Sequence, residues 1–330
     1  MALLITGGLS EYAFAESALP ATPYPPLIQM RGGTVDSQIR CPASMDLVFK
    51  ADDLSPACVR PSTVFILAER GWALKGHDSH DLVTGPPTRD YALAFLVNAA
   101  SPAYNNTVGM IASHLKKGDY LIVEGISSSD PTVKVQELSS HVAPGVKVRA
   151  IAIYNTIRSL TSRLPTLPGG FDYIGYDYEK GSAFSPEFTT SEQSSIGFFD
   201  QARRSVGEYN VRTGSSAKLL IMPPYGELRN AGWDWGEAAK HADMIDIQLQ
   251  AFVRDPQFFN YTLDALAQIK QEAPSTKAFV QISLVEKRGT ASDNLDAINE
   301  IRALPLGGFF MFFHPNQTSE VSQFLKILPS

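Results

Sequence analysis

Phe171-Asp-Tyr-Ile-Gly-Tyr-Asp-Tyr-Glu179 reads as one buried strand that ends in two acids. Aromatic residues and isoleucine dominate it and no proline interrupts it, which suits a pleated backbone. Side chains two apart on a strand share a face, so Asp177 and Glu179 emerge together at its C-terminal end. Three apolar runs of the same kind precede it, at Tyr91–Val97, Tyr120–Glu124 and Val146–Tyr154. Four follow, at Lys218–Pro223, Met244–Gln250, Ala278–Leu284 and Gly308–His314. Helical spacing fills the gaps, over Val108–Leu115, Val133–His141, Thr156–Arg163, Glu192–Arg212, Trp235–His241, Pro256–Glu272, Asp293–Ala303 and Ser319–Leu328. Strands apolar on both faces, each followed by a helix, predict an α/β chain folded as a (β/α)8 TIM barrel. A doubly wound open sheet is the alternative, but no glycine-rich phosphate loop follows the first strand.

The rest of the chain sets limits on partners and compartment. Of 330 residues, 44% are hydrophobic and 19% charged, enough apolar material for one large domain and a small appendage. A net charge of −6 without any Lys/Arg block argues against nucleic acid as a partner. The apolar start Met1–Leu9 followed by Ala13-Phe-Ala15 matches a signal peptide over 1–15, cleaved before Glu16, although its usual basic start is missing. No other stretch suits a membrane span, so no stable membrane insertion is expected once the leader is removed. Cys41 and Cys58 are the only cysteines, and neither a Cys-x-x-Cys pair nor clustered histidine accompanies them. A disulfide is therefore the better reading than a metal site, and it agrees with a secreted or cell-surface location.

These signals divide the chain into the leader, a Pro-rich linker at 16–26, a small disulfide-stapled N-terminal module at 27–75, a polar linker at 76–89 and the barrel at 90–330. In the module, Met45–Phe49 alternates like a strand, Asp52–Cys58 reads as a turn, and the run from Pro61 to Gly71 reads as a helix. The cysteines are expected to tie the approach of that strand to the helix. In the second linker, His77, Asp78, His80 and Asp81 could bind a metal, but a solvated loop is the better reading because nothing rigid holds them. The pieces Ser55-Pro-Ala-Cys-Val59 and Glu69-Arg-Gly-Trp72 resemble a short module found in proteins of ammonia-oxidising archaea. That resemblance implies an archaeal, extracytoplasmic protein and no chemistry.

In a TIM barrel the chemistry sits at the C-terminal strand ends. Those ends carry Glu124, Tyr154, Asp177, Glu179, Tyr225, Gln248, Gln250, Gln281 and His314. No nucleophile elbow, phosphate loop or metal cluster is among them, so no cofactor and no metal are expected. Amides and acids without cations suit a neutral polyhydroxylated ligand, and a polysaccharide or other glycan is the expected partner. Trp233 and Trp235 could form a sugar-stacking platform or equally a staple at a helix start.

The fourth strand resembles the signature of the family 18 glycoside hydrolases (chitinases and relatives), Asp-x-x-Asp-x-Asp-x-Glu. Asp172, Asp177 and Glu179 match its first, third and last positions. The resemblance implies that Glu179 is the general acid/base and that Asp177 orients the 2-acetamido group of the substrate. Asp243–Phe252 has the rhythm of the sixth strand of that family, and Gly307–Phe313 that of its eighth. The pattern differs at three places. Gly175 stands at its middle Asp, Gln248 and Gln250 stand at its Met and Tyr, and Phe312 or Phe313 stands at its Trp. Two functions remain open on these residues. One is a glycoside hydrolase of an extracellular or cell-surface polysaccharide, with Glu124 or Asp246 as an added carboxylate. The other is a non-catalytic carbohydrate-binding or structural surface protein on an inactivated barrel.

Overall fold

The computed structural model describes residues 25–31, 39–42, 45–60, 63–64, 66–67, 70–73, 89–126, 130–180, 186–285, 288–314 and 318–329. A short helix, α1 (Pro26–Arg31), comes first, followed by an antiparallel hairpin of β1 (Asp46–Phe49) and β2 (Pro56–Val59). Cys41, just ahead of β1, is disulfide-bonded to Cys58 on β2. The pairing is the expected one, but its anchor differs. The segment read as a turn is a strand from Pro56 onward, so the bond ties the approach of β1 to β2 and not to a helix. Pro26 opens α1 and does not end an extended linker, because the first helical position needs no N–H partner. The leader, most of the linker before Pro26, and the polar stretch 74–88 with His77, Asp78, His80 and Asp81 lie outside the described residues.

The barrel strands are β3 (Leu93–Asn98), β4 (Tyr120–Glu124), β5 (Lys147–Tyr154), β6 (Tyr173–Asp177), β7 (Lys218–Met222), β8 (Met244–Ile247), β9 (Lys277–Ser283) and β10 (Gly308–Phe312). Each pairs in parallel with the next, and β10 returns to β3, so the sheet closes. Around it run α2 (Tyr104–Ala112), α3 (Pro131–Ser139), α4 (Ile157–Arg163), α5 (Glu192–Thr213), α6 (Tyr225–Asn230), α7 (Trp235–Lys240), α8 (Phe258–Glu272), α9 (Ala291–Ile301) and α10 (Thr318–Ile327). Local chemistry sets many of the helix ends. The Asp130 carboxylate accepts from Thr132 N–H ahead of Pro131, Thr290 and Asp293 form a capping box, and Gly214 stops α5 in the left-handed region. Helix α6 is absent from the sequence reading, since six residues after a proline pair carry too little periodicity to show.

Strand alternation sorts the apolar residues into two compartments. One set faces the helices, where Phe199, Phe258, Leu266 and Phe324 are fully buried against Ile174, Ile221, Ile245 and their like. The other set fills the barrel interior and includes Tyr120, Ile122, Ile151, Leu220, Phe279 and Phe310. Leu54 of the hairpin turn joins the outer cluster, fully buried at a φ of 59°, so the small module is packed onto the barrel. At the N-terminal strand ends, Arg89 and Asp119 form a buried ion pair, and Asp119 also accepts from Leu93 N–H (2.9 Å) and Lys116 N–H (2.7 Å). No helix among the described residues is long and apolar enough to cross a membrane.

Candidate active site at the barrel mouth

On β6, Ile174 and Tyr176 face the helices and Tyr173 faces the axis, so the same phase directs Gly175, Asp177 and Glu179 inward. Two tyrosines hold that phase. The Tyr176 hydroxyl donates to Glu187 Oε1 (2.9 Å), and Glu187 also accepts from Ile157 N–H at the start of α4 (2.6 Å). The Tyr178 hydroxyl accepts from Thr189 N–H (2.8 Å), lies 2.9 Å from Ser195 Oγ, and its ring packs on Phe199 and Trp233. With both rings locked in the outer layer, the acids between and beyond them have no alternative face.

Asp177 and Glu179 line a cavity of about 390 Å3 at the C-terminal strand ends. Glu124, Gln281 and His314 line it as well, and Gln248, just past the end of β8, reaches Asp177. The Gln248 amide donates to Asp177 Oδ1 (3.3 Å) and to the Met222 carbonyl (3.1 Å). Burial, then the charge of Glu179, push Asp177 up to about 8, against the pull of the Gln248 hydrogen bond. Burial also raises Glu179, opposed by Gln248 and by the Arg288 charge, with Glu227 adding to the rise. Glu124 is raised by burial and partly restored by Asn98, whose Nδ2 donates to it (2.9 Å). A carboxyl group raised by burial holds its proton to a higher pH than a free one, which is what a general acid requires.

Other expected residues lie elsewhere. Tyr154 falls one residue out of phase, because Ile153 and Asn155 face the cavity and Tyr154 packs in the outer layer. Tyr225 opens α6 and is buried against Trp235, Phe252 and Tyr261, away from the cavity. Gln250 lies beyond β8 and outside the cavity lining. Trp233 and Trp235 are 4% and 3% exposed, so they belong to the helix–barrel core and form no platform.

Three contributors were not singled out from sequence. Asn98 orients Glu124, Asn155 Nδ2 donates to Asp177 Oδ2 (3.3 Å), and Phe310 lines the cavity floor. The signal for all three is period two, counted from a neighbouring inward residue on each strand. Asp246 is fully buried on the inward face of β8, two residues before Gln248. The side of Gly175 that faces the axis is closed. A Cβ there would meet Ile153 Cγ1 at 3.1 Å, Met222 Cε at 3.2 Å and Ile151 Cδ1 at 3.4 Å. Among the described residues no His/Cys/Asp/Glu group is arranged to hold a metal ion.

No family model matches the chain, and no curated protein matches it. Among solved structures it is similar to a glycoside hydrolase family 18 N-acetylglucosaminidase from Paenibacillus barengoltzii, with a TM-score of 0.46 and 8% identity over 72% of this chain and 98% of that one. It is also similar to the catalytic domain of a family 18 chitinase from the fern Peteris ryukyuensis, with a TM-score of 0.42 and 15% identity over 72% and 100%. A truncated 3-deoxy-D-arabino-heptulosonate 7-phosphate synthase from Thermotoga maritima gives a TM-score of 0.36 and 10% identity over 72% and 85%. A barrel of this architecture hosts unrelated reactions, and its chemistry is set by the residues at the strand ends.

Proposed function

We propose that this chain is a glycoside hydrolase acting on an extracellular or cell-surface polysaccharide, with Glu179 as general acid/base and Asp177 assisting. The observation that carries the reading is the pair itself: two inward acids at the mouth of a cavity, both raised above the ordinary carboxyl range by burial. Protonated Glu179 gives its proton to the glycosidic oxygen as the bond to the anomeric carbon breaks. The resulting carboxylate then takes a proton from the water that completes hydrolysis. Asp177, protonated at neutral pH, assists by hydrogen-bonding the sugar beside the bond being cleaved. Asn98, Asn155, Gln248 and Gln281 supply amides that can both donate to and accept from sugar hydroxyls. The disulfide in the small module is compatible with export.

Glu179→Gln is expected to lower turnover by about 10²–10⁴-fold while leaving glycan affinity within a factor of a few. A glycan panel scored for new reducing ends, with binding measured in parallel, tests this. Equal hydrolysis by both proteins would remove Glu179 from the role.

A second reading, a carbohydrate-binding or structural surface protein without turnover, is favoured by the closed side of Gly175. Three apolar side chains stand there, where the family signature carries an acid. Glycan binding by the wild-type protein with no reducing ends from any substrate would select it.

A further inference from the structure

Glu124 ends β4 in register with Asn98 at the end of β3, and both line the cavity. Period two turns them inward, two residues beyond Ile122 and Leu96. The Asn98 amide is fixed toward the acid. Its Oδ1 accepts from Ala100 N–H (2.8 Å), which leaves Nδ2 to donate to Glu124 Oε1 (2.9 Å). Gly125, at a φ of 70°, makes room for that amide, since a Cβ there would run into Asn98 Oδ1. Among the described residues Asn98 is the one hydrogen-bond partner of the Glu124 carboxyl, and no cation pairs with it. Burial raises this acid and the Asn98 bond opposes the rise. One oxygen is thus anchored and the other is left for a ligand.

The lining is short of positive charge and of spare donors. No lysine or arginine lines the cavity among the described residues, and His314 is the one lining side chain able to become a cation. Arg288, which acts on Glu179, is exposed and stands outside the lining. Asn98, Asn155 and Gln248 each direct an N–H at a carboxyl group. A separate residue also calls for a donor. Gln281 is 6% exposed and lines the same cavity, and its Oε1 is buried without a hydrogen-bond partner among the described residues. A buried acceptor of this kind costs stability until a donor reaches it. A sugar hydroxyl would satisfy Gln281 but would leave the Glu124 carboxylate without a counter-charge. An ammonium group brings the charge and three N–H donors, with no acceptor of its own.

We propose that the glycan taken by this cavity carries free, protonated amino groups, with Glu124 pairing with the ammonium and Gln281 accepting from a further donor on the same sugar chain. The inference rests on the glycan reading of the site and names the class of sugar.

Calorimetric binding to the full chain at about pH 6, where an amine is protonated, tests it with three probes. These are a tetramer of β-1,4-linked glucosamine, its fully N-acetylated counterpart, and cellotetraose, with reducing ends scored in parallel. The glucosamine tetramer is expected to bind about tenfold or more tightly than the other two. Glu124→Gln keeps the shape and an acceptor for Asn98 while removing the charge, and should bring that ratio down to about one. Equal affinity for all three probes in wild type, or a preference that survives in Glu124→Gln, overturns the proposal. Where the variant does not fold, salt decides with wild type alone. A preference built on charge pairing falls as salt is raised to about 1 M, and one that holds there overturns the pairing. Binding of the neutral probes without preference for the amine sinks this inference and leaves the glycan reading intact. Preference for the amine without new reducing ends keeps the inference and removes hydrolysis, and no binding of any probe removes both.

Discussion

Asp177 shows how one side chain can oppose folding and still define the site. Its carboxyl is raised from the ordinary range near 4 to about 8, chiefly by burial, so the folded protein prefers it protonated. The sign follows from linkage. The stability that protonation allows is fully present below the unfolded value and is lost as pH climbs through about 8. Asp177→Asn removes that dependence. Relative to wild type the variant should gain at least about 1.4 kcal/mol between about pH 5 and about pH 9, the worth of a single pKa unit. Urea titrations at both pH values read it, and parallel stability curves for the two proteins would contradict it. Asp177 and Glu179 are legible in sequence because a strand has a period of two, so an Asp-x-Glu pair must share a face. Asn155, which donates to Asp177, and Asn98, which donates to Glu124, follow the same rule, but only once the strand ends are known to within one residue. Tyr154 shows the cost of a one-residue error, since it sits on the wrong side of its strand.

Strand β6 keeps its acids inward because its tyrosines are tied outward. The Tyr178 hydroxyl serves Thr189 and Ser195 near the start of α5, and its ring is wedged among Phe188, Phe199 and Trp233. Tyr178→Phe keeps the ring and deletes the hydroxyl, leaving Thr189 N–H and Ser195 without that partner. A loss of about 1–3 kcal/mol is expected, together with a fall in turnover larger than any change in glycan affinity, since Glu179 is the next residue. Unfolding in urea and steady-state kinetics on the same preparation check both parts, and an unchanged unfolding midpoint would contradict the account. The element order itself was open to reading, because eight apolar runs and eight helical spacings survive without tertiary context. Helix α6 and strand β2 escaped for opposite reasons. One is too short for a helical period to register, and the other owes its strand character to pairing with β1 rather than to its own residues.

Closure of the barrel concentrates at one seam. At Gly308, the first residue of β10, φ is 143°, and a Cβ there would meet the Ala92 carbonyl oxygen at 2.7 Å. That carbonyl accepts from Phe309 N–H (2.9 Å), the bond that begins the junction of β10 with β3. Gly308→Ala must therefore shift backbone at the seam, and a loss of about 1–3 kcal/mol in unfolding free energy is expected, with amide exchange faster on β3 and β10 than elsewhere. Uniform exchange across all eight strands would place the weakness somewhere else. The amino-acid sequence alone determined the alternation of strands and helices, the disulfide partners, and the face on which Asp177 and Glu179 stand, because these follow from local periodicity and from there being only two cysteines. Tertiary structure decided what those acids meet. It set Gln248 and Asn155 against Asp177, sealed the side of Gly175 with Ile151, Ile153 and Met222, moved Tyr225 and both Trp233 and Trp235 into the outer core, and buried Asp246 behind the site. Residues far apart in the chain become neighbours only when the barrel closes. The desolvation that raises Asp177 and Glu179 is therefore a property of the closed barrel and not of the strand that carries them.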